Sequence, residues 1–244
     1  MNISYQLSAT KGKGGIWLLL TLIAVVVLSS CNPNGSASVS PSSATTKIAV
    51  INASPDIGPV TVAIGGGVQI GPFFRYPAAS NYYSLSSGPQ FFQVRNTKYL
   101  TVLTGNDTLA VNTSYSLYVL GINASTASSE SLTAMLVADT SSIPTLGSGK
   151  IRFVNTSPRT TGLDVTANGT KAFSAIPFKG VSAYQQLPAG IYDFKIFATG
   201  ASTGVLVDVP LITIQDGRLY TLFTHGLTGR TDTAAIGAAV MINK

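Results

Sequence analysis

The sequence predicts an all-β chain built as two antiparallel β-sandwich domains in tandem. Three observations carry the prediction. First, the block Lys47–Pro55 (KIAVINASP) returns as Lys150–Pro158 (KIRFVNTSP), and further matches follow in the same order through both copies. Second, apolar residues alternate with small or polar ones, as in Val60/Val62/Ile64 and Tyr192/Phe194/Ile196. Third, turn chemistry separates these runs: Ser54-Pro55-Asp56, Ser87-Gly88-Pro89, Gly105-Asn106-Asp107, Asn168-Gly169 and Asp216-Gly217.

The N-terminal element, residues 1–30, reads differently. Lys11 and Lys13 precede an apolar run from Ile16 to Leu28, and Leu28-Ser29-Ser30 leads into Cys31, the single cysteine of the chain. A membrane-spanning helix needs roughly 20 apolar residues, so the run fits a cleaved signal peptide better than a permanent span. It resembles the signal of bacterial lipoproteins, which implies that Cys31 is lipidated and becomes the mature N-terminus. Residues 31–46 then comprise the lipidated cysteine and a small, polar, uncharged segment with two prolines, which predicts a flexible tether.

The first sandwich is assigned to 47–138, a linker to 139–149 and the second sandwich to 150–244. An offset of 103 holds through Val62/Val165. An offset of 102 then aligns Tyr82 with Tyr184, Leu85 with Leu187, Gly88 with Gly190 and Phe92 with Phe194. Later, Tyr115–Val119 aligns with Tyr220–Thr224. About seven short strands per copy, spaced by turns, point to a sandwich of the immunoglobulin-like or transthyretin-like kind. In the shared N-[AT]-S-P motif, Asn52, Ser54, Pro55 and their counterparts Asn155, Ser157, Pro158 are read as a structural turn: asparagine bonds backbone groups and proline presets φ.

Composition narrows function. Charged residues are only 10% of the chain, against a typical ~25%. The formal charge of +6 includes Lys11 and Lys13, and no basic run exists, so nucleic acid is not an expected partner. With Cys31 committed to lipid, no thiol is left for a disulfide, a metal or a nucleophile.

The elements V/F-x-N-x-S-P and L-P-A-G-x-Y-x-F resemble domain of unknown function 4397, an extracytoplasmic β-domain often found in tandem in Bacteroidota lipoproteins. The second copy carries both elements, Phe153–Pro158 and Leu187–Phe194; the first keeps Val50–Pro55 but departs after Gly88. The resemblance spans roughly 47–244 and brings no catalytic residues. It implies an outer-membrane lipoprotein. Surface-exported lipoproteins of that phylum tend to carry acidic residues just after the cysteine, so the resemblance implies, from their absence in Asn32–Ser36, a periplasm-facing location over the cell surface.

No catalytic constellation, cofactor motif or metal set emerges. His225 is the only histidine and lacks a Gly-x-Ser-x-Gly partner; Gly147–Ile151 and Gly65–Gly67 miss the phosphate-loop and dinucleotide spacings. Two aspartates meeting in space would be needed for a glycoside hydrolase, but Asp56, Asp107 and Asp216 all sit in turns. The positive signal is aromatic. Phe73, Phe74, Tyr76, Tyr82, Tyr83 and Tyr99 concentrate in the first copy; core packing is the expected use of most of these rings, and a ligand-facing cluster of Arg75, Tyr76, Tyr82 and Tyr83 is the alternative. Asp107-Thr108-Leu109 and Asp232-Thr233-Ala234 resemble a Bacteroidota O-glycosylation pattern, which implies glycan on Thr108 and Thr233. The expected function is a lipid-anchored envelope protein with a non-catalytic binding or structural role toward a protein or glycan. The alternative is a glycan-binding accessory lipoprotein of a nutrient-uptake system.

Overall fold

A computed structural model describes residues 45–65 and 68–243. The expected signal peptide, the expected lipidation site Cys31 and the segment assigned to the tether up to residue 44 lie outside the described residues. No helix occurs among the described residues.

The first copy contributes β1 (Thr45–Asn52), β2 (Val60–Ile64), β3 (Val68–Phe74), β4 (Ala78–Ala79), β5 (Tyr83–Ser86), β6 (Gly88–Arg95), β7 (Thr101–Leu109), β8 (Ser114–Leu120) and β9 (Thr133–Ala138). The second contributes β10 (Ser148–Val154), β11 (Leu163–Ala167), β12 (Thr170–Ile176), β13 (Gln185–Pro188), β14 (Gly190–Ala198), β15 (Val207–Ile214), β16 (Leu219–His225) and β17 (Gly237–Ile242). Four sheets result, two per copy: β4-β1-β8-β9 with β5 beside β1, β3-β2-β6-β7, β13-β10-β16-β17 and β12-β11-β14-β15.

Pairing is antiparallel except at the centre of one sheet in each copy, where β1 runs parallel to β8 and β10 parallel to β16. The long excursion through the facing sheet returns the chain beside its own first strand, which makes a parallel pair feasible. β1 begins at Thr45, inside the segment assigned to the tether, because Thr45 pairs with Ser86 and Thr46 Oγ1 donates to the Thr113 carbonyl at 2.6 Å. Likewise β10 begins at Ser148, inside the assigned linker, opposite Pro188.

Three apolar clusters hold the layers. Ile48 and Val50 point into the first sandwich with Val60, Val62, Val94, Leu117 and Val119; Ile151 and Phe153 do the same in the second with Val165, Phe194, Ile196 and Leu222. The third cluster lies between the copies. Ala49, Ile51, Tyr118 and Leu120 of the first pack on Val154, Phe223 and Met241 of the second. The β1-β8-β9 sheet is therefore buried on both faces, which is why β1 reads as a nearly continuous apolar run rather than a clean alternation. The order of layers is outer sheet, junction sheet, junction sheet, outer sheet.

Candidate functional site

Two features stand out: a polar network inside the junction, and an aromatic step exposed at one end of the first copy.

The network forms where the junction sheets face each other near the start of β1 and β10. Arg152 and Asp139 are an ion pair with side chains almost fully removed from solvent. Arg152 also donates through Nε to Thr221 Oγ1 (3.0 Å) and through Nη1 to the Ala138 carbonyl (2.7 Å), and lies 5.0 Å from the Tyr184 ring centre. Asp139 Oδ2 accepts from Tyr82 Oη at 2.7 Å and from Ser116 Oγ at 2.8 Å. Asn243 completes the set, donating to Tyr82 Oη (3.0 Å) and accepting from Thr221 Oγ1 (2.6 Å). Burial pushes the Asp139 carboxyl upward, while Arg152 and the two hydroxyls draw it back down. Burial, and then the charge of Asp139, raise the Tyr82 phenol well above its ordinary range. These are groups used up by one another, with little left to offer a substrate.

At the opposite end of the junction, Tyr76 Oη lies 3.0 Å from His225 Nδ1, with ring centroids 5.4 Å apart and planes perpendicular. Burial lowers His225 to about 4, and burial together with Asp232 raises Tyr76 to about 12. The phenol therefore keeps its proton and the imidazole stays neutral, and one hydrogen bond joins them. Gly237 pairs across from His225, and a Cβ there would sit 2.5 Å from the ring, so only glycine fits. Arg159 Nε reaches Glu130 Oε2 at 2.9 Å, a further link between copies.

The structure does not bring the four cluster residues expected from sequence together. Adjacent residues of an extended chain point to opposite faces. Tyr82 accordingly enters the junction network, whereas Tyr83 packs against the core of the first sandwich. Tyr76 is held by His225, and Arg75 is exposed. The N-[AT]-S-P residues lie in the turns after β1 and β10. Asn52 Nδ2 donates to the carbonyls of Gly58 (2.9 Å) and Phe74 (3.1 Å); Asn155 Nδ2 donates to Thr160 Oγ1 (2.9 Å) and the Ile176 carbonyl (3.0 Å). Each asparagine thus ties a junction sheet to its outer sheet. Ser54 and Ser157 are fully buried beside Pro55 and Pro158. Thr108 and Thr233 are both exposed.

The aromatic step consists of Phe73, Tyr99 and Leu100. Phe73 is the penultimate residue of the edge strand β3, and Tyr99 sits in the turn between β6 and β7, with ring centroids 5.3 Å apart in edge contact. Tyr99 is 58% and Leu100 60% exposed. Asn96 builds the turn: its Oδ1 accepts from the backbone N–H of Lys98 (3.0 Å) and Leu100 (3.1 Å). Its backbone N–H donates to the Leu100 carbonyl (3.0 Å), and its carbonyl accepts from the Tyr99 N–H (2.9 Å). Tyr99 is held at φ 59, a left-handed conformation costly for a bulky side chain. The second copy has Ala175 at the place of Phe73 and no aromatic in the matching turn, 199–206. Composition located the aromatics in the first copy, but only the turn geometry shows that Tyr99, braced by a half-buried Phe73, is the ring that faces solvent.

Among the described residues no group of three or more His, Cys, Asp or Glu side chains is placed to hold a metal ion.

A family model described as "Domain of unknown function (DUF4397)" matches residues 46–166 and 149–241. Among solved structures, the chain is similar to the Bacillus anthracis TIE protein at 10% identity, covering 77% of this chain and 34% of that one with a TM-score of 0.21. The chain thus spans about a third of that protein's length. It is also similar to a protein of Parabacteroides distasonis provisionally named a cell adhesion protein (10% identity, 82% of this chain, 99% of that one, TM-score 0.22). A protein of Bacteroides eggerthii, provisionally named likewise, shows 12% identity over 83% of this chain and 96% of that one, with a TM-score of 0.19. Nothing matches among curated proteins.

Proposed function

The chain belongs to the DUF4397 family, and from that premise we propose that it is a lipid-anchored cell-envelope protein with a non-catalytic binding role, presenting the Phe73–Tyr99–Leu100 step to an envelope protein or glycan. The single observation that carries the reading is Tyr99. A large aromatic is kept in a left-handed backbone by a turn built around Asn96, half-exposed and braced edge-on by Phe73. Such strain persists where the surroundings over-determine it, and it clusters at ligand-contacting positions. A rigid aromatic supplies contact area at low entropic cost. The buried charged groups support a structural rather than a chemical use, since Arg152, Asp139 and their partners satisfy one another inside the junction.

The anchor in this reading is Cys31, in the outer membrane and facing the periplasm, with glycan on the exposed Thr108 and Thr233. Intact mass of the mature chain tests both modifications: lipid and sugar increments are expected, and an unmodified mass overturns them.

The binding test uses the mature chain without lipid, residues 32–244, on a glycan array and in crosslinking from native envelopes. Saturable binding that Tyr99→Gly removes without lowering the melting temperature is the expected result. Glycan capture would select the nutrient-uptake form of the reading, and capture of one envelope protein the adhesion or assembly form. Binding indifferent to Tyr99 would overturn the site.

A further inference from the structure

The two most exposed large apolar side chains among the described residues are Leu146 (95%) and Ile143 (80%), and both lie in the linker between the copies. The linker is braced. Asp216 Oδ1 accepts from the backbone N–H of Gly147 (2.9 Å) and Ser148 (3.2 Å). Gln186 clasps Thr145, accepting from its N–H (3.1 Å) and donating to its Oγ1 (2.8 Å). Lys150 Nζ donates to the Ser142 carbonyl (3.1 Å) and hydroxyl (2.6 Å). Ile143 and Leu146 therefore stand on a rigid rim and cannot fold back onto the body.

That rim lies at the end where the chain enters from Cys31. Lys47, close to the start of β1, Ser114, Asp139, Leu219 and Asn243 line one groove with linker residues Thr140 and Ser141, so this end belongs to both copies. Val111 (53%), Ile191 (61%) and Ile242 (54%) are exposed at the same end: Val111 precedes Asn112, whose backbone N–H donates to the Thr45 carbonyl, Ile191 pairs with Thr213 next to the terminal Gly190–Ile214 pair, and Ile242 pairs with Tyr220. Lys47 and Arg218 add exposed cations. The aromatic step is at the far end, beyond the Arg95–Thr101 pair that closes the first outer sheet.

We propose that this rim is a membrane-contacting face, with Ile143 and Leu146 entering the headgroup–acyl boundary of the leaflet that holds Cys31 while Lys47 and Arg218 meet its phosphates. The proposal rests on the lipid-anchor reading above. Residues 32–44 separate Cys31 from Thr45 and span at most roughly 45 Å even when fully extended. The rim is thus confined near the bilayer at high effective concentration, where weak apolar and cationic contacts add to the anchor. Contact of this kind turns the opposite end, with Tyr99, away from the lipid.

The chain's single tryptophan, Trp17, lies in the signal segment, which makes fluorescence a clean readout. Leu146→Trp is placed in the mature lipidated chain, which begins at Cys31 and holds no other tryptophan, in phosphatidylethanolamine–phosphatidylglycerol vesicles with brominated acyl chains. The expected result is a blue-shifted emission quenched by about twofold or more, with Leu100→Trp at the far end unquenched. Water-like, unquenched emission from Leu146→Trp chains that float with the vesicles overturns the proposal. If intact mass shows no lipid, the anchor reading fails by itself. Adding the same vesicles in excess to the unlipidated Leu146→Trp chain then decides the face: quenching sustains it, and no quenching removes it. Ile143→Ser in the Leu146→Trp background should weaken quenching without moving the melting temperature, which separates insertion from a folding defect.

Discussion

Tyr118 and Phe223 stand at the same position of the two copies, and their rings meet edge to face with centroids 6.0 Å apart and planes at 69°. Contact between equivalent residues is what pairing about an approximate twofold axis produces. Other equivalent positions also face the junction: Ser116 and Thr221, Tyr82 and Tyr184, Asp139 and Asn243, the last two each donating a backbone N–H to the first residue of β8 or β16. The tandem repeat is packed as an internal dimer.

Because the third apolar cluster belongs to both copies, the described chain should unfold in one transition by calorimetry and by far-ultraviolet circular dichroism in urea. Phe223→Ala removes a fully buried ring and should cost about 3–5 kcal/mol, with the transition splitting as the copies uncouple. A variant that melts as the parent does would show that the junction is not a cohesive core.

The ion pair breaks the twofold relation, since Ala49 stands in the first copy where Arg152 stands in the second. Asp139→Ala should destabilise by about 3–5 kcal/mol, because it leaves a guanidinium buried without its counterion. The double change Arg152→Met with Asp139→Leu should recover most of that loss. Equilibrium denaturation of Arg152→Met, Asp139→Leu and the double variant measures the coupling; additive losses would mean that the pair does not act as a unit.

Much of the fold was legible because the repeat and the turns are written locally. The copy offset and the alternation in β2 and β14 involve neighbours in sequence or one strand repeat, whereas Asn52 and Asn155 reach past their turns to Phe74 and Ile176. What was hidden depends on the second face of the junction sheets. The apolar run Ile48-Ala49-Val50-Ile51 does not say that Ala49 and Ile51 meet the other copy, nor does Arg152 in its own strand say that it is buried there. The same blindness put Tyr82 in a ligand cluster, since nothing local reveals Asp139 waiting 57 residues away. The Asn96 turn had no recognisable signature, and its left-handed Tyr99 breaks the residue preferences of such positions.

Acid should loosen the far end of the junction. His225 is held neutral in the fold, at about 4 against an ordinary 6.5, chiefly by burial. The unfolded chain then binds a proton that the folded chain refuses, so stability is full above pH 6.5 and falls as pH drops toward 4. Discounted for partial solvent access, the loss should be about 1–2 kcal/mol. Urea midpoints across this window should show that decline, and His225→Gln should flatten it. An unchanged slope in the variant would assign the decline to other groups.

Tyr99 gives the sharpest separation of fold from function. Replacing it by glycine relieves the left-handed backbone at φ 59, where an L side chain costs roughly 1–2 kcal/mol, while it forfeits the edge contact with Phe73, worth about 0.5–1.5 kcal/mol. These nearly offset, so Tyr99→Gly should melt within a degree or two of the parent or slightly above it. Tyr99→Ala keeps the strain without the contact and should melt lower. Both should lose ligand capture, because both remove the exposed ring. Had the ring served packing alone, glycine and alanine would lower stability together and leave binding intact; stability retained by glycine as binding disappears is the pattern of a strained residue kept for contact with a partner.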